Sequence, residues 1–143
     1  MFYKKIVLAI SVLFLSACAS NSAPATEITI IMNEFLYAPA SITIPVNQPV
    51  ILTLENNGAQ EHDFVIENID VVSVIAEGGS TGQHHMTTDA SEYDLHISTA
   101  VGSTSTLSFT ATQPGTYKIL CSIQGHEVAG MIGELIVVES EDE

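Results

Sequence analysis

The sequence predicts an all-β fold, an antiparallel sandwich or barrel of about seven or eight short strands. Three observations lead there. Apolar and polar residues alternate with period 2 over several short stretches, no stretch carries the repeat of an amphipathic helix, and clusters of Asn, Gly and Pro punctuate the chain at fairly regular spacing.

The N-terminus is set apart from that pattern. Met1-Phe-Tyr-Lys-Lys5 is a short basic head, Ile6 to Leu15 is almost wholly apolar, and small residues follow. A run of that length is about half of the roughly 20 apolar residues needed to cross a bilayer. Residues 1–17 are therefore expected to be a secretory signal rather than an anchor. Leu15-Ser16-Ala17-Cys18 resembles the lipobox of bacterial lipoproteins, which implies cleavage before Cys18 and lipid attachment to it. Ala19 at the next position would, by the same resemblance, favour sorting to the outer membrane of a Gram-negative cell. Residues 18–26 are small and polar with one Pro, as in a tether. Residues 27–139 have the length of one small domain, and 140–143 complete an acidic tail.

Within the domain, Ile28, Ile30 and Met32 alternate with polar neighbours, as do Ile42, Ile44 and Val46, and then Val50, Leu52 and Leu54. Each set reads as a half-buried strand. Asn47-Gln-Pro49, Asn56-Asn-Gly58, Gly78-Gly79 and Gln113-Pro-Gly115 are the intervening turn signals. In His62-Asp-Phe-Val-Ile66 the alternation puts His62, Phe64 and Ile66 on one inward face. Tyr117, Ile119 and Cys121 share a face, and so do Met131, Gly133, Leu135 and Val137.

Charge and cysteine count narrow the function. With residues 1–17 removed, Lys118 is the one Lys or Arg against 17 carboxylates, a formal charge of 1 − 17 = −16. Such a surface repels nucleic acid and suits a partner with a basic docking face, or simply a salty medium. With Cys18 lipidated, Cys121 is the lone thiol in an oxidising compartment, and a metal that occupies the thiolate accounts for it.

The chemistry is concentrated in Cys121-Ser-Ile-Gln-Gly-His126-Glu-Val-Ala-Gly-Met131. A thiolate, an imidazole and a thioether are soft and borderline ligands that copper selects, and His62, if folded back, completes a His2Cys set with a weak axial Met. Gly125 and Gly130 permit the positive φ values that a tight ligand loop needs. On these residues the chain resembles the cupredoxins, small blue-copper proteins of the plastocyanin and azurin type. Its equal spacings are most similar to those of auracyanin and rusticyanin. The resemblance runs from the strand near Glu27 to Val138, with Gly115-Thr-Tyr117 and Gly133-Glu-Leu-Ile-Val137 as flanks.

The resemblance implies a Greek-key β-sandwich and one copper ion held by His62, Cys121, His126 and Met131. It also implies an electron carrier rather than an enzyme, expected to be monomeric, and the signal and lipobox would put it on the periplasmic face of a membrane. Exported redox proteins, a c-type cytochrome or a copper oxidase or reductase, are the expected partners. They would dock at an apolar rim of Ile123, Val128 and Ala129 around His126, which Glu127 interrupts.

Asp63 stands where plastocyanin and azurin carry Asn, and is expected to accept a hydrogen bond from the backbone near Ser122 and tie the His62 strand to the loop. His84, His85 and Met86, followed by His96, form a second constellation between Gly78 and Tyr93. Its plain reading is a polar insertion with surface histidines. Its sharper reading is a second, weaker copper site, and with it a copper chaperone or scavenger. A cysteine protease is disfavoured because no orienting third group or oxyanion element is visible and the Met would go unexplained, and a binuclear copper centre because only one cysteine is available.

Overall fold

The structure, a computed structural model, describes residues 26–79 and 93–139. It contains ten strands: β1 (Glu27–Asn33), β2 (Leu36–Ala38), β3 (Ser41–Pro45), β4 (Pro49–Asn56), β5 (His62–Ile66), β6 (Val71–Glu77), β7 (Leu95–Thr99), β8 (Thr104–Ala111), β9 (Gly115–Leu120) and β10 (Ile132–Val138). No helix lies among the described residues. The strands form two five-stranded sheets, ordered β2-β1-β4-β8-β6 and β3-β10-β9-β5-β7.

The alternation fixes which side of each strand faces the other sheet. Val50, Leu52 and Leu54 of β4 are buried, as are Leu107 and Phe109 of β8, Phe64 and Ile66 of β5, and Leu135 and Val137 of β10. These residues belong to one continuous core between the sheets. Each fully buried Leu, Ile or Phe contributes on the order of 1.5–3 kcal/mol.

The sandwich is thus the expected one, with two differences in detail. Among the described residues there are ten strands rather than seven or eight, because β2 has three residues and β6 is a half-exposed edge strand with a bulge between Val72 and Ile75, and neither alternates clearly in sequence. Two neighbouring pairs, β1 with β4 and β3 with β10, run parallel rather than antiparallel. Pairing direction depends on how the chain crosses between sheets, which one strand's alternation does not encode.

The crossings place the functional end. From β3 to β8 the chain switches sheets at every strand, so β5 arrives beside β9. Val65 pairs with Leu120 and Ile66 with Ile119. Continued in antiparallel register, this puts His62 level with the start of the loop after β9.

Candidate metal centre

The segment from Cys121 to Met131 is held by its own backbone. His126 N donates to Ile123 O at 3.0 Å, Met131 N to His126 O at 3.0 Å, and Cys121 N to Met131 O at 3.2 Å. The last two bonds bring the backbones of Cys121, His126 and Met131 together. Gly125 and Gly130 have φ of 90° and 109°, as the sequence led one to expect. A Cβ at Gly130 would meet nothing within 4 Å, so Gly130→Ala costs backbone strain alone. That strain should destabilise the protein by about 1–3 kcal/mol in denaturant titrations. A loss below ~0.5 kcal/mol would show that the loop tolerates another path.

Three donor atoms converge at the mouth of this loop. His62 Nδ1 and His126 Nδ1 are 3.3 Å apart, and Cys121 Sγ is 3.4 Å from His126 Nδ1. The three residues are buried, and their ligand atoms all lie within 4.8 Å of one another. Two imidazole nitrogens and a sulfur so close, with no carboxylate in the group, are a poor home for a hard cation and fit one copper ion. Met131 is fully buried in the same core cluster as Cys121 and is tied to Cys121 and His126 by its backbone.

Burial also bears on the protonation of Cys121 and His62. It pushes the Cys121 thiol above its ordinary pKa, and it lowers that of His62, with His126 as a second cause. His62 is therefore held as the neutral imidazole that can ligate, whereas the thiol must release its proton on metal binding.

Asp63 organises the surroundings. Ser98 Oγ donates to Asp63 Oδ1 at 2.6 Å and Ser122 Oγ to Asp63 Oδ2 at 2.5 Å, while His96 Nε2 stands 3.5 Å from Oδ2. The link to Ser122 thus runs through its hydroxyl rather than through a backbone amide, and separately the backbone N–H of Asp63 points to Cys121 Sγ, at 3.3 Å. Burial raises the Asp63 pKa, but the hydrogen bonds from His96, Ser122 and Ser98 outweigh it and hold the carboxyl below its usual value.

His96 lies on β7, with Leu95 and Ile97 turned inward as expected. Its outer face is covered, for its side chain is only 15% exposed and rests against Asp63 and the ring of Tyr93. This places His96 beside the primary centre. His84, His85 and Met86, like Cys18 and the signal segment, lie outside the described residues.

Several participants carried no sequence signal of a part in this site, Asn56 being marked only as a turn residue. The Tyr37 hydroxyl donates to the Asp63 carbonyl at 2.6 Å in the interior, and burial, then Cys121 and Asp63, drives its pKa up. Asn56 Nδ2 donates to the carbonyls of Gln60 and Thr99, both at 2.8 Å, and so fixes the turn that delivers His62. Phe35, in a positive-φ turn after β1, sets its ring edge-on to His126 with centroids 5.1 Å apart. His126, expected at the rim, is only 5% exposed beneath it. Around this end Val128, Ile132, Leu36 and Phe35 are exposed, and Glu127 forms an ion pair with Lys118.

Comparisons with known proteins agree with this geometry. A family profile described as a cupredoxin-like domain matches residues 5–100, which hold His62 and end before the Cys121 loop. The chain is 26% identical over 129 residues to auracyanin-B of Chloroflexus aurantiacus, covering 82% of this chain and 54% of that protein. It is 24% identical over 111 residues to the copper-resistant cuproprotein CopI of Rubrivivax gelatinosus, covering 77% of this chain and 65% of that one. It therefore spans just over half to about two thirds of these relatives. A crystal structure of dithionite-reduced auracyanin from Roseiflexus castenholzii superimposes with a TM-score of 0.62 at 25% identity, covering 81% of this chain and 99% of the other. A β-sandwich with two imidazoles and a thiolate gathered at one end, matched over most of its length by that profile, makes this chain a member of the cupredoxin-like family.

Proposed function

We propose that the protein is an extracytoplasmic electron carrier in which His62, Cys121 and His126, with the Met131 thioether as a weak fourth donor, would hold one copper ion. The observation that carries this reading is the convergence of His62 Nδ1, His126 Nδ1 and Cys121 Sγ in a buried group. Copper held there supplies a one-electron Cu(I)/Cu(II) couple. The thiolate favours Cu(I) and the imidazoles favour Cu(II), and a stiff sandwich that satisfies neither fully keeps rearrangement small. The chain's own contribution is to hold the donors fixed, exclude water and present an edge of the site to partners.

Export supports the compartment, and it rests on the signal-like N-terminus and lipobox resemblance of Cys18. Lipid anchoring, outer-membrane placement, a monomeric state and partners such as a c-type cytochrome belong to the same proposal. The test is the visible and paramagnetic-resonance spectrum of the copper(II)-loaded protein. An intense thiolate-to-copper band with one copper per chain supports the reading, and its absence overturns it.

The exposed apolar rim is where partners would dock. Val128 is 94% exposed at the tip of the loop, so Val128→Asp puts a charge that must be desolvated at the centre of the contact. The second-order rate of electron exchange with a c-type cytochrome should fall about tenfold, ~1.4 kcal/mol, at unchanged potential. An unchanged rate would move the docking face elsewhere.

One comparison favours a second reading. The relative CopI is named for copper resistance, which suits a protein that sequesters or delivers copper. Rapid copper transfer to an acceptor with slow electron exchange would support delivery over electron transport.

A further inference from the structure

His62 is fully buried, its Nδ1 faces the donor group, and its Nε2 has no hydrogen-bond partner. Once Nδ1 ligates a metal, Nε2 carries the proton. A buried N–H left unpaired costs about 1–3 kcal/mol. Metal-bound imidazoles ordinarily give this proton to a carboxylate, a carbonyl or a water, which fixes the ring and strengthens it as a donor.

The space in front of Nε2 is shaped by Gly58. A Cβ at Gly58 would lie 2.8 Å from His62 Nε2, 2.9 Å from Glu34 Oε1 and 3.2 Å from Asn56 Oδ1. The imidazole and the carboxylate thus border the same gap, and their separation cannot exceed the sum of the first two distances. The missing side chain at residue 58 leaves the space between them open. Two contacts hold the acceptors there. Glu34 Oε1 accepts the backbone N–H of Ala59, and Asn56 Oδ1 accepts that of Gly58 at 2.9 Å. Asn56 Nδ2 is already committed to two carbonyls, so its oxygen faces the gap, but it is neutral. Glu34 is the charged acceptor and therefore the stronger one. Its side chain is exposed and can close on the ring or reach it through one water.

We propose that Glu34 is the carboxylate partner of His62, accepting the Nε2–H directly or through one water across the gap that Gly58 leaves open, and thereby positioning the ring and biasing the site toward Cu(II). This rests on the copper reading above. Glu34 is a positioning residue, since it acts on the metal only through His62. The turn Asn33-Glu34-Phe35 then serves both ligand histidines, with Glu34 toward His62 and Phe35 against His126.

The test compares the full copper-loaded chain with Glu34→Gln and Glu34→Ala. Glu61→Gln serves as control, because Glu61 is an exposed carboxylate next to His62 in sequence, so that loss of charge alone is matched. In Glu34→Ala the ratio of Cu(I) to Cu(II) affinity should rise about tenfold, or ~59 mV for a one-electron couple. Glu34→Gln should shift less, and Glu61→Gln least. By NMR of the Cu(I) form, the His62 Nε2–H should exchange slowly with solvent in the native protein and in Glu61→Gln, and much faster in Glu34→Ala. A native visible band with equal shifts in Glu34→Ala and Glu61→Gln, or with unchanged exchange of that proton, overturns this inference alone. A native protein without the band overturns it together with the copper reading.

Discussion

Cys121→Ser should abolish the intense visible band and lower copper affinity by more than the roughly 10–100-fold that follows loss of a supporting partner. A serine hydroxyl stays protonated at neutral pH and is a hard, neutral oxygen, whereas Cys121 supplies the soft thiolate. It can still accept the Asp63 N–H now directed at Sγ, so the fold should survive. The same substitution separates metal binding from folding. Copper at about 1,000 times its dissociation constant stabilises a native state by ~4.1 kcal/mol. For a domain of this size that raises the unfolding midpoint on the order of 10–20 °C. Calorimetry should show that rise in the native protein and little in Cys121→Ser. A variant that keeps both the band and the rise would remove Cys121 from the site.

The affinity should also depend on pH with a known sign. Burial raises the Cys121 pKa, so the apo protein holds the thiol proton through neutral pH and metal must displace it. Apparent affinity should therefore weaken about tenfold for each pH unit of acidification, one proton being released. The lowered His62 pKa keeps that residue out of the competition until the medium is more acidic than for an ordinary histidine.

Asp63→Ala should be strongly destabilising for a residue outside the candidate ligand set, costing on the order of 2–4 kcal/mol through the hydroxyls it leaves unpaired. It removes the common acceptor of Ser98 and Ser122 and leaves both hydroxyls, with His96, facing a void between β5, β7 and the ligand loop. Denaturant titration measures this, and a loss below ~1 kcal/mol would mean that water replaces the carboxylate at little cost. The carboxyl is held below its usual pKa, so its contribution is complete above the ordinary aspartate range and is lost as the pH falls through the lowered folded value. Asp63→Asn should lack that acid dependence. The same variant removes a negative charge close to the centre, which favours Cu(I), so its potential should rise on the order of 60 mV. A potential unchanged or lower would defeat the electrostatic argument.

Cys121, His126 and Met131 were legible because one short loop carries them, and the glycines that shape it declare their backbone. His62 was legible as an inward residue because a strand's alternation is local. Its meeting with a loop 64 residues away from it in sequence, at His126, follows from β5 lying beside β9. Asp63 was placed in the right neighbourhood, but its partners Ser98 and His96 come from β7, whose adjacency to β5 no spacing encodes.

The amino-acid sequence by itself therefore determined the all-β class, the inward faces and the identity of the four candidate ligands, since all of these rest on local periodicity and side-chain chemistry. Tertiary structure alone decided the parallel β1–β4 and β3–β10 pairings, the burial of His126 under Phe35, the Tyr37 link to Asp63 and the gap between Glu34 and His62. The physical reason is common to all four: each depends on which distant segments the chain crossings make neighbours, and that choice is settled by packing the core as a whole rather than by any one strand.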